Sequence, residues 1–211
     1  MQLTLLKPKK ALNKAYLKVK PIRSDMELFK KNLIDLLDNS NDTESEEFHK
    51  NLVADFLKRT YYEPNYFINT KGRNDLVIHT GSKAKDPVGV ILEAKKPTNR
   101  SEMVSEPKPN TKALQELVLY YLRERITSKN LEVKNLIITN IYEWYIFDAS
   151  DFEDYFAQNK TLVKQFQDLE TVVYLGRQPT FSIKKLLRLQ SKRLKMNLHV
   201  RILIFVSLKN H

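Results

Sequence analysis

Charged side chains stand at the ends of two neighbouring apolar runs in NDLVIHTGSKAKDPVGVILEAKKPTN, residues 74–99. Asp75 begins the first run, and Glu93 and Lys95 end the second. The breaker-rich GSKAKDP between the runs predicts a turn, and therefore a hairpin in which the start of one strand meets the end of the other. Because residues two apart in a strand share a face, we expect Glu93 and Lys95 side by side, directed toward Asp75.

Two carboxylates that converge at the end of a sheet form a site of hard oxygen ligands. Such a site suits Mg²⁺ or Mn²⁺, which bind carboxylates together with water and phosphate oxygens. A lysine beside the cation can hold or deprotonate a metal-activated water, and can offset charge on a phosphorane-like transition state. The pattern predicts phosphodiester hydrolysis. The alternative is an Asp–Lys–Glu salt-bridge cluster on a solvated strand face.

Hydrophobic periodicity predicts the elements around this hairpin. Helices are expected at about 24–39, 44–60, 111–128 and 151–169, and strands at 65–70, 74–80, 88–95, 134–140 and 145–150. The first helix would bury one face, made of Met26, Phe29, Leu33, Leu36 and Leu37. The sequence TESE, Thr43 to Glu46, has the form of a capping box for the second. This order predicts an α/β fold with a mixed sheet flanked by helices.

The residues ND at 74–75, EAK at 93–95 and the order helix, three strands, helix, strand resemble the PD-(D/E)XK nuclease superfamily, which has the restriction-endonuclease-like fold. The resemblance implies that Asp75 and Glu93 bind a divalent metal and that Lys95 assists the attacking water. The proline of the family motif is replaced by Asn74, at a position that varies in the superfamily.

Longer segments of residues 1–170 carry the resemblance further. NLIITNIYEWYIFDA, residues 135–149, is similar to the strand hairpin after the second core helix of restriction–modification nucleases. The segments LNKAYLKVKPIRSDMELFKKNLIDLL and ESEEFHKNLVADFLKRTYY resemble the start of type IIG enzymes. Those enzymes fuse an N-terminal endonuclease domain to a DNA methyltransferase, so a longer relative would supply methyltransferase and specificity domains.

The resemblance also suggests an acid from the first core helix at the metal site. Glu46 lies on the helix side shared with Val53 and Leu57, so it is the candidate, with Glu47 as the second choice. The alternative for both is stabilisation of the helix N-terminus by an acidic side chain.

DNA contacts are expected from basic residues close to the hairpin, because phosphate contacts give salt-sensitive affinity independent of sequence. The candidates are Lys71, Arg73, Lys96 and Arg100. The helix ALQELVLYYL resembles a Gln-x3-Tyr element of some such nucleases, which adds Gln115. The match is imperfect because Leu119 stands four residues after Gln115, and an amphipathic core helix is the favoured interpretation of the segment.

The formal net charge of +11 indicates a polyanionic partner. Residues 171–211 hold nine Lys or Arg and no acid, and residues 1–24 hold seven Lys or Arg and no acid. We therefore divide the chain into a basic arm with the N-terminal helix (1–42), a nuclease core (43–170) and a basic tail (171–211). KKLLRLQSKRLKM in the tail could form a basic helix and VRILIFVSL a strand. The tail is a DNA-binding extension, a strand that pairs with another chain in a homodimer, or the remnant of a truncated longer protein.

The expected function is a Mg²⁺-dependent DNA endonuclease domain of a bacterial restriction–modification enzyme, which cuts double-stranded DNA to leave 5′-phosphate and 3′-hydroxyl ends. The rival interpretations are a catalytically silent DNA-binding or scaffold module and a nuclease that acts on RNA. We expect no S-adenosylmethionine site, because the four glycines form no Gly-rich cofactor loop. The absence of cysteine, signal peptide and long apolar stretch predicts a cytoplasmic protein without a membrane partner.

Overall fold

The computed structural model describes residues 1–7, 10, 14–71, 74–174 and 196–205. Within those ranges, the side chains at 16–17, 74–75 and 172–174 lie outside the description. None of the helices formed by the described residues combines the length and the apolar character that crossing a membrane requires.

A seven-stranded mixed sheet forms the centre of the molecule, with the strand order β1-β7-β6-β5-β4-β3-β2. The strands are β1 (Gln2–Leu5), β2 (Ile68–Lys71), β3 (Asn74–His79), β4 (Val88–Ala94), β5 (Asn135–Thr139), β6 (Glu143–Asp148) and β7 (Asn197–Ile204). The pairs β4–β5 and β1–β7 are parallel, and the other neighbours are antiparallel.

Helices cover both faces of this sheet. They are α1 (Arg23–Asn39), α2 (Glu46–Leu57), α3 (Lys112–Leu122), α4 (Ala149–Phe152) and α5 (Lys160–Tyr174), with a short 3-10 helix at Lys14–Lys18. A π-helical turn extends α2, α3 and α4 at their C-terminal ends, at Lys58–Tyr62, Arg123–Thr127 and Glu153–Ala157.

Strand alternation divides the core into two halves, because successive side chains of a strand project to opposite faces. In β4, Ile91 packs in the half that contains α3, α4 and α5, whereas Leu92 and Ala94 pack in the half that contains α1 and α2. The central strand β4 is buried on both faces, as expected for a strand with a parallel neighbour and helices on either side.

The predicted α/β fold with a mixed sheet between helices is confirmed, and the core follows the restriction-endonuclease-like order of elements. Two local predictions on the helices were wrong. Met26 is 52% exposed although it shares the periodic stripe of α1, because that stripe meets the core only farther along the helix, around Leu36. Helix α2 begins at Glu46 with Ser45 as its N-cap, so Thr43 is not the cap, and its hydroxyl donates to Asn41.

The C-terminal part of the chain contributes a strand to the sheet. Strand β7 lies between β6 and β1, so the strand predicted in the tail pairs within its own chain. Met196, Leu198 and Val200 are buried in the core half that contains α3. The basic helix predicted before this strand falls almost wholly on residues 175–195, which lie outside the described residues.

Candidate functional site

The end of β4 and the residue after it bring two charged side chains, Glu93 and Lys95, into the interior. Glu93 is paired with Ile138 of β5, and the backbone N–H of Lys95 continues this pairing by donating to the Thr139 carbonyl at 2.8 Å. The hydrogen bonds between β4 and β5 therefore fix the backbone that carries Glu93 and Lys95. Glu93 is 1% exposed and Lys95 is 3% exposed, although both side chains carry a formal charge.

Three carboxylates surround the ammonium group of Lys95. Its Nζ lies 2.5 Å from Glu93 Oε1, 2.9 Å from Glu116 Oε2 and 3.4 Å from Glu46 Oε1. These acids come from three different elements, namely the strand β4, the helix α3 and the helix α2. We call Glu46, Glu93, Lys95 and Glu116 the strand-end cluster.

Helix α2 delivers Glu46 to the strand-end cluster from its first turn. The Ser45 hydroxyl accepts a hydrogen bond from the Phe48 N–H at 3.1 Å and so defines where the helix begins. The second oxygen of Glu46 accepts from the backbone N–H of Lys96 at 3.4 Å. The predicted candidate Glu46 therefore lies at the site, whereas its neighbour Glu47 forms an ion pair with Lys50.

Glu116 is a member of the cluster that the sequence analysis did not select. It lies in the first half of α3, where Lys112 Nζ is 3.9 Å from its other carboxylate oxygen. Lys112 also pairs with Glu102 at 3.1 Å, and Asn99 donates to that same carboxylate. A signal did exist in the sequence, because Glu116 is an acid beside the apolar stripe of a helix that follows the EAK strand.

The electrostatic state of Lys95 follows from this arrangement. Burial alone would lower the pKa of the ammonium group, but the charges and hydrogen bonds of Glu93 and Glu116 outweigh burial and raise it above its ordinary value. Lys95 is therefore an ammonium ion at neutral pH.

The formal charges around Lys95 leave a surplus of carboxylate. Together with Glu102 and Lys112, the cluster contains four carboxylates and two ammonium groups, a formal charge of −2. Carboxylate oxygens are the ligands that hard divalent cations prefer, and a cation of charge +2 would balance the surplus. By chemical type, these carboxylates are therefore donors of the kind that Mg²⁺ or Mn²⁺ prefers.

Asp75 is described only by its backbone, which lies in β3. The register of the hairpin pairs Leu76 with Leu92, so Asp75 and Glu93 are the next residues on the two strands toward the cluster. No group of three Asp, Glu, His or Cys side chains among the described residues is arranged as a metal site, and the side chain of Asp75 is not in that set.

The candidate DNA-contacting residues lie in different surroundings. Lys71 pairs at 2.8 Å with the buried carboxylate of Glu124, and Arg73 lies outside the described residues. Lys96 follows the cluster directly, and Arg100 lines a cleft of about 740 Å³ that is also bordered by Tyr142 of the β5–β6 hairpin. Gln115 is buried and donates to Asn110 at 3.0 Å, so its amide is engaged within the protein.

Residues 6–210 match a family described as a domain of unknown function, DUF7149. The chain belongs to the DUF7149 family. No curated protein and no solved structure matches it. The matched residues include the strand-end cluster and strand β7.

Proposed function

We propose that this chain is a Mg²⁺-dependent DNA endonuclease domain of a bacterial restriction–modification enzyme. The observation that carries the proposal is the Glu93–Lys95 pair, buried at the end of β4 and joined there by two further acids. The proposed activity is hydrolysis of phosphodiester bonds in double-stranded DNA, which leaves 5′-phosphate and 3′-hydroxyl ends.

The energetic cost of the cluster supports a functional role over a purely structural one. A buried ion pair contributes little net stability, and apolar residues of similar volume often replace such pairs without loss of stability. Glu93 and Lys95 alternate with the buried apolar residues Leu92 and Ala94, so burial at this point of the chain does not itself call for charged side chains. Perturbed ionisable groups concentrated at one point are typical of functional sites.

In the proposed site, Glu93 and Asp75 hold the divalent cation. The two residues occupy adjacent strands one step beyond the Leu76–Leu92 pair, and residues directly opposite in antiparallel strands share a face. When bound, Mg²⁺ supplies Lewis-acid stabilisation of a phosphoryl oxygen and lowers the pKa of a bound water. Glu46 is the third candidate ligand, because its carboxylate already reaches the cluster.

Lys95 acts in this proposal as a hydrogen-bond donor and a positive charge. Its raised pKa keeps the ammonium protonated, so the side chain is suited to orient a water and to stabilise negative charge that develops on the phosphate. The alternative role of Lys95 as a general base would require it to be neutral, and its carboxylate neighbours oppose that.

Substrate contacts are proposed for the surface next to the cluster. Lys96 and Arg100 lie in the loop after β4, and Arg100 borders the cleft beside the β5–β6 hairpin. Phosphate contacts of such residues give affinity that falls with salt and carries no sequence information. In this proposal, other domains of a longer relative recognise the DNA sequence and transfer methyl groups from S-adenosylmethionine. A homodimer would form with a second copy of this chain.

The experiment that tests the proposal is cleavage of supercoiled plasmid by the full chain with Mg²⁺ or Mn²⁺. We expect the wild-type protein to nick or linearise the plasmid, EDTA to stop the reaction, and Lys95→Ala to slow it by roughly 10²–10⁴-fold. The matched control is Lys134→Ala, an exposed lysine just before β5, at the opposite end of the β4–β5 pair from the cluster. Cleavage that survives Lys95→Ala, or DNA binding without cleavage by the wild type, would contradict the proposal. Preferential cleavage of an RNA competitor would contradict the substrate assignment.

A further inference from the structure

The ammonium group of Lys95 and a divalent cation would compete for the same carboxylate. Lys95 Nζ lies 2.5 Å from Glu93 Oε1, and Glu93 is a ligand in the proposed function on which this inference rests. A cation bound to Glu93 would repel an ammonium at that distance. Lys95 is 3% exposed, so it cannot relieve the repulsion by turning into solvent without leaving the site.

Glu116 provides a second position for this ammonium. Its Oε2 lies 2.9 Å from Lys95 Nζ, and it comes from α3 rather than from the hairpin that carries Asp75 and Glu93. The third acid, Glu46, is more distant at 3.4 Å and is shared with the backbone N–H of Lys96. Among the described acids, Glu116 is therefore the best placed to keep Lys95 once Glu93 turns to a cation.

Neighbouring side chains restrain the carboxylate of Glu116. Lys112 stands one helical turn before it, 3.9 Å from Glu116 Oε1, and is itself fixed by Glu102 at 3.1 Å. Asn99, in the loop after β4, donates to Glu102. The side chain of Glu116 is thus part of a chain of contacts that connects α3 to the loop following the strand-end cluster.

We propose that Glu116 is a positioning residue that draws Lys95 away from Glu93 when a divalent cation binds. It acts through Lys95 and is not itself a ligand of the cation. Lys95 stays charged and stays in the site, where it is available to the substrate, while Glu93 becomes free for the metal. In this proposal Glu93 serves the cation and Glu116 holds the lysine.

The test measures Mn²⁺ binding rather than cleavage, from the loss of the electron paramagnetic resonance signal of free Mn²⁺ as the full chain is added. The variants are Glu116→Gln, Lys95→Met and the double variant, with Glu132→Gln as a matched control before β5. We expect Glu116→Gln to weaken Mn²⁺ binding about tenfold when Lys95 is present. In the Lys95→Met background we expect Glu116→Gln to weaken Mn²⁺ binding only about twofold, because only the through-space effect of the Glu116 charge on the cation is left.

The double-variant comparison separates the possible roles of Glu116. An equal weakening in both backgrounds would show a direct ligand or a simple charge effect, and would overturn the proposal. No weakening by Glu116→Gln in the presence of Lys95 would overturn it as well. Absence of Mn²⁺ binding by the wild-type protein would instead contradict the proposed function, so the two failures are distinguishable.

A second measurement covers the case in which Lys95→Met does not fold. The ammonium resonance of Lys95 is observed by NMR in the wild type and in Glu116→Gln, and is assigned with the charge-conserving variant Lys95→Arg. We expect Mg²⁺ to shift the resonance in the wild type but leave it visible, because the ammonium stays bound to Glu116. In Glu116→Gln we expect Mg²⁺ to abolish it through exchange with water. The same response in both proteins would overturn the proposal.

Discussion

Lys95 is held by acids from a strand and two helices, so the site depends on contacts that no single segment contains. The alternation of β4 predicted that Glu93 and Lys95 lie together, and the structure places them 2.5 Å apart. Glu46 was selected from its side of the helix and does reach the cluster. Glu116 was missed because helical periodicity shows only that a side chain leaves the apolar stripe, and not which strand end it faces.

Removal of the buried ammonium should destabilise the protein. We expect Lys95→Met to lower the free energy of unfolding by about 3–5 kcal/mol, because it leaves the buried carboxylate of Glu93 without its closest counter-ion. The double variant Glu93→Gln with Lys95→Met should recover much of that loss, since no unpaired charge is then left on the strand. Urea unfolding measures both values. Equal stability of Lys95→Met and wild type would contradict the contacts described for the cluster.

The Glu102–Lys112 contact should show a defined dependence on pH. Partial burial alone would raise the pKa of Glu102, but hydrogen bonds from Lys112 and Asn99 outweigh burial and lower it. A carboxylate whose pKa is lower in the folded state stabilises the fold above its unfolded-state pKa of about 4.3, and loses that contribution as the pH falls through the lower folded-state pKa.

We therefore expect the difference in melting temperature between wild type and Glu102→Gln to be constant from about pH 5 to 7 and to shrink toward pH 3. Thermal unfolding followed by circular dichroism at each pH measures it. The control is Glu106→Gln, a nearby acid for which no such contact is described. A difference that grows as the pH falls would contradict the assignment.

At the scale of elements, the start of α2 decides where Glu46 lies. The sequence indicated two helices in the region before the hairpin, and both are present as α1 and α2. The predicted capping box at Thr43 was displaced by two residues, because Ser45 and not Thr43 accepts the N–H of the first turn. Thr and Ser are both favourable N-cap residues, so the local sequence does not by itself decide between the two positions.

Loss of the Ser45 cap should destabilise α2 and, through it, Glu46. We expect Ser45→Ala to lower the free energy of unfolding by about 1 kcal/mol, since the Phe48 N–H loses its side-chain acceptor. Ser45→Asp should retain most of the stability, because aspartate also caps helix N-termini. Urea unfolding of the three proteins checks this. Equal stability of Ser45→Ala and wild type would place the start of α2 elsewhere.

Two other elements differ from their predictions. One is a helix that a local cap divides, and the other is a strand whose partner is distant in sequence. The helix expected at 151–169 is two helices, because Asn159 accepts the Leu162 N–H and starts α5 anew. The basic arm begins with the strand β1, which has only four residues and pairs with β7, about 195 residues later. Periodicity within so short a segment cannot identify a strand whose partner is that distant in sequence.

At the scale of the whole molecule, the sheet connects the two ends of the described chain. Strand β7 is inserted between β1 and β6, and the residues that it buries belong to the same core as α3. The lack of acidic residues after residue 170 had suggested a tail separate from the core. Composition shows that acidic residues are absent after residue 170, but it does not show that the residues beyond that point complete the sheet.

Truncation after residue 170 should therefore weaken the fold. It removes Met196, Leu198 and Val200, each buried, at a cost of about 1.5–3 kcal/mol per side chain, and it exposes the edge of β6. We expect a clear decrease in the urea concentration at the unfolding midpoint, or aggregation. Truncation after Phe205 is the control, because it keeps the whole sheet. An unchanged midpoint for the shorter chain would contradict the role of β7 in the sheet.

The location of a bound Mn²⁺ ion in a crystal of the full chain is the measurement that tests the central claim most directly. The ion's anomalous scattering identifies it independently of activity. We predict a peak at the end of β4, within roughly 2.0–2.4 Å of carboxylate oxygens of both Asp75 and Glu93. Absence of a peak there from crystals soaked in Mn²⁺, or an Asp75 side chain on the opposite face of the sheet from Glu93, would contradict the proposed metal site and the nuclease function built on it.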